Sequence, residues 1–128
     1  MPDLALTTDI ITGFPGETEE HHKETSEFVK KLPFSGFHIF RYSDREGTKA
    51  FQFKNKVPAT EIKKRSKDLL EIDLIKRKVF LSKNLGTKRK AVKIGTNKLL
   101  TDNYIIVETD TSKISGIFEI KITENSKI

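Results

Sequence analysis

A strand–turn–helix–strand pattern near the start of the chain places the strongest constraint on its fold. The β-prone run Thr8–Thr12 stops at a glycine- and proline-rich turn, a helix follows between Thr18 and Pro33, and a second apolar run covers residues 37–40. Two strands joined by a helix of roughly 15 residues predict a right-handed βαβ unit in a parallel sheet. Because parallel sheets normally have several strands and both faces covered, we expect this unit to belong to a larger assembly.

A long helix and a β-rich tail follow this unit. Residues 59–83 combine helically spaced apolar positions with a basic opposite face, and Gly86 is expected to stop the helix. The apolar face is predicted to contain Ile62, Leu69, Ile72, Ile75 and Val79. Beyond Thr87 the alternation predicts three or four antiparallel strands. The predicted fold class is therefore an α/β piece (residues 1–58), a basic bridging helix (59–86) and a small antiparallel β-barrel (87–128).

The positive charge of the chain is concentrated in one segment. The whole sequence has a net charge of +6, whereas residues 54–90 contain 13 basic and 4 acidic side chains, a net charge of +9. Such a segment is typical of proteins that bind a phosphate backbone. A solvated, lysine-rich helix face explains the same pattern, and charge alone does not separate the two interpretations.

The residue types exclude several classes of chemistry. The chain contains no cysteine, which excludes disulfides, thiolate zinc sites and cysteine-ligated iron–sulfur clusters held by this chain itself. Its three histidines, His21, His22 and His38, have no metal-ligand spacing, so no metal site is predicted. No catalytic residue set is predicted either. Without an apolar run long enough for a membrane span or a secretory signal, we expect no membrane association and a cytoplasmic location.

The turn Gly13-Phe14-Pro15-Gly16-Glu17 is the first candidate site. It follows a strand of a predicted parallel sheet, at the edge where α/β folds bind ligands. Glycines there permit close approach of the backbone to a ligand, and the following helix start attracts negative groups. A purely structural strand-to-helix turn is the alternative interpretation.

Basic residues provide two candidate RNA-binding surfaces. One lies on the long helix and the other at the start of the β-rich tail, where an asparagine and a tyrosine follow in a turn. The candidates are Lys63, Lys64 and Lys67 on the helix, and Lys88, Arg89, Lys90, Asn103 and Tyr104 in the tail. Basic side chains follow an RNA backbone while an aromatic ring stacks on a base. A buried or half-buried Tyr104 is an open alternative.

The stretch Thr8–Thr18 reads Thr-Asp-Ile-Ile-Thr-Gly-Phe-Pro-Gly-Glu-Thr, and a second patterned stretch covers Leu32–Ala50. The first resembles the TD-I-I-V-GFPGET signature of the radical-SAM methylthiotransferases, enzymes that use S-adenosylmethionine, at all positions but Thr12. The second resembles that family's F-S-x-x-H-V-F-P-Y-S-x-R-x-G-T-x-A segment. The Leu-Pro-Phe-Ser form of the second motif resembles the branch that thiomethylates threonylcarbamoyladenosine next to the tRNA anticodon. Asn84–Gly86 and Leu100–Val107 resemble the family's TRAM module, a small RNA-binding β-barrel.

This resemblance implies a particular fold and set of cofactors. Residues 1–58 would be the late βαβ part of a radical-SAM barrel, with Gly13–Glu17, Phe40 and Tyr42 lining the S-adenosylmethionine and substrate cavity. The family uses two 4Fe–4S clusters held by cysteines upstream of the portion matched here. The resemblance therefore implies a C-terminal fragment of a tRNA methylthiotransferase that retains RNA binding, with tRNA as partner, and that is inactive by itself.

Two alternatives from other functional classes remain open. One is a stand-alone RNA-binding module without a catalytic role. The other is a protein-interaction piece that pairs with a separately encoded N-terminal half or docks by adding a β-strand to a partner.

Overall fold

A computed structural model describes residues 3–112, 115–124 and 126–128. The chain divides into two compact units: Leu6–Lys76, and Arg77–Ile128 together with residues 3–5. The long helix contributes its first part to one unit and its last residues to the other. We call these the α/β unit and the β unit. The long helix was predicted for residues 59–83 and runs from Ala59 to Asn84.

The α/β unit contains a parallel pair of strands and two helices. Its elements are β1 (Thr7–Thr12), α1 (Glu19–Lys31), β2 (Gly36–Arg41), a 3-10 turn (Lys49–Gln52) and the first part of α2 (Ala59–Asn84). Strands β1 and β2 pair in parallel from Thr7 opposite Gly36 to Thr12 opposite Arg41. The βαβ prediction is confirmed for these elements. A complete radical-SAM barrel is not among the described residues.

Local signals explain where α1 begins and ends. The Thr18 hydroxyl accepts a hydrogen bond from the backbone N–H of His21, and the His21 ring accepts one from the Thr18 N–H, so a reciprocal cap starts the helix. Glu19 and Glu20 lie in the first turn, where the helix dipole favours negative charge. The helix stops at Lys31, two residues before Pro33, as the sequence predicts.

The core of the α/β unit lies between the strand pair and the two helices. Its buried apolar residues are Val29, Phe37, Leu69 and Ile72, and Ile10, Phe34 and Ile39 pack against them. The opposite face of the strand pair is exposed and carries Asp9, Ile11, His38 and Phe40. His38 Nδ1 lies 3.0 Å from Asp9 Oδ1 on this face.

The predicted apolar face of α2 is wrong for its second half. Ile75 is 63% exposed and Val79 is 48% exposed, whereas Arg65 and Asp73 are buried. These buried charges have specific partners, because the Asp73 carboxylate accepts a hydrogen bond from the Phe37 N–H at 2.6 Å. Arg65 and Asp73, each with a matched partner, therefore share the buried side of the helix with Leu69 and Ile72.

The β unit is a five-stranded antiparallel sheet. Its strands are β3 (Lys88–Gly95), β4 (Lys98–Thr101), β5 (Ile106–Glu108), β6 (Ile117–Lys121) and β7 (Ser126–Lys127), in the order β6-β3-β4-β5-β7. The antiparallel prediction is confirmed, and the sheet is compatible with a TRAM-like domain. The predicted number of three or four strands is too low, because the two-residue β7 has no alternating apolar pattern from which it could be predicted.

A compact apolar core supports this sheet. Ala91, Leu99, Ile105, Val107 and Ile122 are all buried, and Phe80 and Leu81 from the end of α2 pack against them. Helix α2 ends at Asn84, and Gly86 follows with a φ of 78°, a left-handed conformation that glycine adopts without steric cost.

Candidate functional site

The turn between β1 and α1 is fixed by a buried ion pair. Glu17 accepts a hydrogen bond from the Gly13 N–H at 2.8 Å and pairs with Arg65 Nη1 of α2 at 2.7 Å. Arg65 Nη1 also donates to the Glu17 backbone carbonyl at 3.0 Å. Both side chains are largely buried, at 7% exposure for Arg65 and 15% for Glu17, so the loss of either partner would leave the other as an uncompensated buried charge.

Gly13 occupies a position where no side chain fits. Its φ is +81°, and a Cβ atom built on it would lie 2.4 Å from Ile62 Cγ1 of α2. Gly16 also has a positive φ, +91°, but open space surrounds the position of its Cβ. Glycine is therefore required at Gly13 for both conformation and packing, and at Gly16 for conformation alone.

An aromatic cavity of about 370 Å³ opens beside this turn. Phe14 contacts Tyr42 edge-to-face, with ring centroids 5.4 Å apart, and Phe53 with centroids 6.2 Å apart. Ile11 and Phe40 from the exposed face of the strand pair complete its apolar lining. The cavity therefore lies at the carboxyl ends of β1 and β2, the edge predicted from the sequence.

Of the seven residues predicted around the cofactor cavity, Phe14, Phe40 and Tyr42 line this cavity. Glu17 instead turns towards α2, where it holds the loop. Gly13 and Pro15 are buried within the loop, and Gly16 is exposed, its N–H donating to the Asn55 carbonyl at 2.7 Å.

A lysine-centred cluster closes the loop after β2. Lys56 Nζ pairs with the Asp44 carboxylate and donates to the carbonyls of Ala50 and Phe51 at 3.0 and 3.2 Å. The Tyr42 hydroxyl donates to Asp44 at 3.0 Å. The Lys56 bond lowers the pKa of Asp44, and Asp44 in turn raises the pKa of Lys56. Partial burial, followed by the Asp44 bond, raises the pKa of Tyr42.

A basic groove of about 430 Å³ lies on the same unit. It is lined by Arg41, Thr60, Lys63, Lys64, Lys67 and Leu70. The three lysines predicted to bind RNA from the long helix therefore share one surface. Arg41 also lines the aromatic cavity. Arg41 was not among the predicted RNA-binding residues, because no local feature of the sequence indicates that the end of β2 lies beside α2.

The second predicted RNA surface lies on the β unit, and its residues have different environments. Lys88 and Lys90 are exposed on β3, and Tyr104 is 65% exposed with a φ of 63°. Asn103 is buried at 2% exposure, and Arg89 is mostly buried, with its side chain 17% exposed. The open alternative of a buried Tyr104 is wrong, because the left-handed turn directs it away from the core.

A buried hydrogen-bond network supports that turn. Asn103 Nδ2 donates to Asn84 Oδ1 at 2.9 Å, and Asn103 Oδ1 accepts from the Thr101 hydroxyl at 2.7 Å. Arg89 Nη2 donates to the same Asn84 oxygen at 3.2 Å. Asn84 and Thr101 were not predicted as functional residues, and their side chains fix the segment that presents Tyr104. A non-glycine residue held in a left-handed conformation is frequent at functional sites.

The described residues offer no metal centre. Among them, no group of three or more His, Asp or Glu side chains is placed to hold a metal ion. His22 pairs with Asp68 at 3.4 Å and His38 with Asp9, two separate sites. A chain without cysteine does not provide the thiolates of an iron–sulfur cluster. In this described part of the chain, no helix is long and apolar enough to cross a membrane.

Comparison with curated proteins shows extensive sequence similarity. The chain is 45% identical to the threonylcarbamoyladenosine tRNA methylthiotransferase MtaB of Aquifex aeolicus over 115 residues, covering 90% of this chain and 28% of that protein. It is 36% identical to the tRNA-2-methylthio-N(6)-dimethylallyladenosine synthase of Acetivibrio thermocellus, covering 95% and 27%. It is 42% identical to the ribosomal protein uS12 methylthiotransferase RimO of Koribacter versatilis, covering 74% and 17%.

These relatives identify the family of the chain. The chain belongs to the methylthiotransferase family and corresponds to the C-terminal part of its members. It spans about a quarter of the length of the curated relatives it matches. No protein-family model matches the chain.

Proposed function

We propose that this chain provides the C-terminal part of a tRNA methylthiotransferase whose substrate is threonylcarbamoyladenosine next to the anticodon. The observation that carries this proposal is the 45% identity, over 90% of the chain, with a relative named for that substrate. The relative named for dimethylallyladenosine matches at 36% identity over 95% of the chain, and the relative named for ribosomal protein uS12 matches at 42% identity over 74% of the chain.

The aromatic cavity is the proposed site for S-adenosylmethionine and the substrate. Phe14, Phe40 and Tyr42 present aromatic rings on which an adenine can stack. Gly13, Pro15 and Gly16 shape the adjoining backbone, and Glu17 keeps that backbone in place through Arg65. Phe14, Phe40 and Tyr42 would hold the adenosine part of S-adenosylmethionine, which would supply the radical only with an electron from a cluster that this chain's own residues do not hold.

The residues present do not fit an iron–sulfur cluster, so we expect no catalysis by the chain alone. The test is anaerobic reconstitution of the chain with iron and sulfide, followed by assay for 5′-deoxyadenosine. We expect neither cluster absorbance nor product. A separately produced cysteine-bearing N-terminal half of a relative is then added. Activity only in the mixture would support a C-terminal catalytic part, and activity of the chain alone would contradict the proposal.

The β unit is the proposed tRNA-binding surface. Lys88 and Lys90 are exposed for contact with phosphates, and Tyr104 is exposed for stacking on an unpaired base. Arg89 and Asn103 act in this proposal through the network that positions Tyr104. Replacing Lys88 and Lys90 with alanine removes two phosphate contacts and is expected to lower the slope of log affinity against log salt by roughly 2 for a structured tRNA. An unchanged slope would contradict this role.

A stand-alone RNA-binding module is a second candidate function. It is favoured by the β unit, which has its own apolar core of five buried residues. This candidate predicts salt-dependent RNA binding with no gain of activity when a cysteine-bearing half is added. The reconstitution experiment therefore separates the two candidates.

A further inference from the structure

Two surface features of the α/β unit meet at one residue. Arg41, the last residue of β2, lines both the aromatic cavity and the basic groove. We propose that the groove and the cavity form one continuous site for single-stranded RNA, in which the groove binds phosphates and Arg41 positions a nucleotide at the cavity. This proposal rests on the proposed function and locates RNA binding within the α/β unit.

The groove has the electrostatics of a phosphate site. Lys63 and Lys64 are adjacent on α2, Lys67 lies about one turn further along, and Arg41 lines the same groove from the end of β2. In the described part of the chain, none of these four side chains takes part in an ion pair or hydrogen bond. Four unneutralised cations around one groove repel each other, and a bound polyanion relieves that repulsion.

The cations also have the spacing of a linear ligand. Lys63 and Lys67 are four residues apart on one helix, about 6 Å along its axis. The groove is therefore long enough for more than one charged group. Thr60 adds a hydroxyl at the same surface, which donates to phosphate oxygens as well as accepting.

The aromatic cavity offers aromatic surface for base stacking, which the basic groove lacks. Phe14 is 43% exposed and Phe40 is 51% exposed, so aromatic surface is available to a ligand that approaches from Arg41. Base–aromatic stacking does not depend on sequence, because every base has a flat π face. A cationic groove that continues into an aromatic cavity matches the alternation of phosphate and base in a single strand. A duplex, whose bases are stacked inside, matches it poorly.

Arginine suits the junction between the two features. Its planar guanidinium can donate two parallel hydrogen bonds to a phosphate and can also stack on a base. Arg41 is exposed at the mouth of both features and is free of protein partners among the described residues. It is a positioning residue in this proposal, since it orients a nucleotide towards the cavity.

The first experiment measures binding of a short single-stranded RNA to the full chain as a function of salt. Each lost phosphate contact on a single strand lowers the log–log slope by about 0.7. The K63A/K64A/K67A variant is therefore expected to lower the slope by about 2, and Arg41→Ala by about 0.7. The control K23A/K30A/K31A removes the same charge from α1, outside the groove, and is expected to leave the slope nearly unchanged.

The second experiment tests whether Arg41 positions a base in the aromatic cavity. An oligonucleotide carrying one 2-aminopurine is expected to lose fluorescence on binding, as the base stacks in the cavity. At saturating protein, Arg41→Ala and Phe40→Leu are expected to restore most of that fluorescence, whereas K63A/K64A/K67A changes the affinity and not the final signal. Circular dichroism of each variant shows whether it is folded, and Arg41→Lys provides a conservative comparison that retains the charge.

The outcomes separate this inference from the proposed function. RNA binding that depends on Lys88 and Lys90 but not on the groove would overturn the inference and leave the proposed function standing. No RNA binding at low salt would overturn both. Equal binding of a polyglutamate of matched charge, with the same loss in the groove variants, would show a site for acidic protein and would also overturn the inference.

Discussion

At the scale of single residues, the two glycines of the β1–α1 turn have different requirements. Gly13 combines a positive φ with a Cβ position 2.4 Å from Ile62, whereas Gly16 has a positive φ in open space. Gly13→Ala is expected to destabilise the α/β unit by roughly 2–4 kcal/mol, from backbone strain and overpacking together. Gly16→Ala is the control, with a cost of about 1–2 kcal/mol. Urea unfolding followed by amide signals of this unit gives both values, and equal effects would contradict the packing argument.

The buried ion pair between Glu17 and Arg65, which fixes this turn, gives a second prediction. Glu17→Ala leaves Arg65 buried, with Glu19 as a more distant partner at 3.7 Å on the surface. Because Arg65 Nε is already buried without a hydrogen-bond partner, the guanidinium has few other contacts to compensate. We expect a loss of roughly 3–5 kcal/mol in the free energy of unfolding.

Glu19→Ala provides the matched comparison for Glu17→Ala. It removes a carboxylate from the same arginine, but one that is 67% exposed, so its expected cost is under about 1 kcal/mol. If both variants lost the same stability, burial would not be the reason that Glu17 matters.

At the scale of elements, the loop between β2 and α2 is expected to respond to pH. The pKa of Asp44 is lowered from 3.8, so its contribution to folding is complete above about pH 4 and is lost as the pH falls through the lowered value. The pKa of Lys56 is raised from 10.5, so its contribution to folding is complete below about pH 10 and is lost only as the pH rises through the raised value. The loop should therefore be unaffected between about pH 4 and pH 10.

The measurement is the chemical shift of the Tyr42 ring between pH 2 and pH 6. We expect the wild-type ring to report an acid transition that Asp44→Asn removes. Glu46→Gln changes a neighbouring exposed carboxylate that forms no hydrogen bond among the described residues, and it should leave the transition in place. A transition retained in Asp44→Asn would assign it to another group.

Helix α2 shows how one element can be held by polar groups. Lys76 Nζ donates to the carbonyls of Lys30 and Leu32 at 2.9 and 2.6 Å, where α1 ends. A cation near a helix C-terminus satisfies carbonyls that have no partner within the helix and is favoured by the dipole. Desolvation at this position disfavours the charged form of Lys76 and lowers its pKa. The α1–α2 contact is therefore specified by charge as well as by Leu69 and Ile72.

At the scale of the whole molecule, the two units are expected to differ in local stability. The parallel pair β1–β2 has one exposed face, and only two strands pair in its sheet among the described residues. The β unit has five strands over a continuous core. Amide exchange is therefore expected to be faster in residues 8–14 and 36–40 than in residues 91–107 and 117–122. Uniformly slow exchange in a monomer would show that the α/β unit is self-sufficient.

The elements themselves were largely predictable from the sequence. Thr18, Pro33 and Gly86 act on the backbone within one or two turns, so the bounds of α1 and α2 follow from local chemistry. The alternating apolar residues after Thr87 likewise predict strands, because side chains alternate across a sheet. The position of the Gly13–Glu17 turn at a strand end was also predictable, because its glycines and proline interrupt the β-prone run Thr8–Thr12.

The arrangement of the site required the tertiary structure. The pairing of Glu17 with Arg65 joins residues 48 apart, and α2 has eight basic residues without a local signal that this one would be buried. Arg41 reaches the α2 lysines only because β2 ends beside that helix. The sequence alone thus determined the elements, the family resemblance and the location of positive charge. Only the fold decided which charges are buried and which remain open to a ligand, because burial depends on contacts between distant segments.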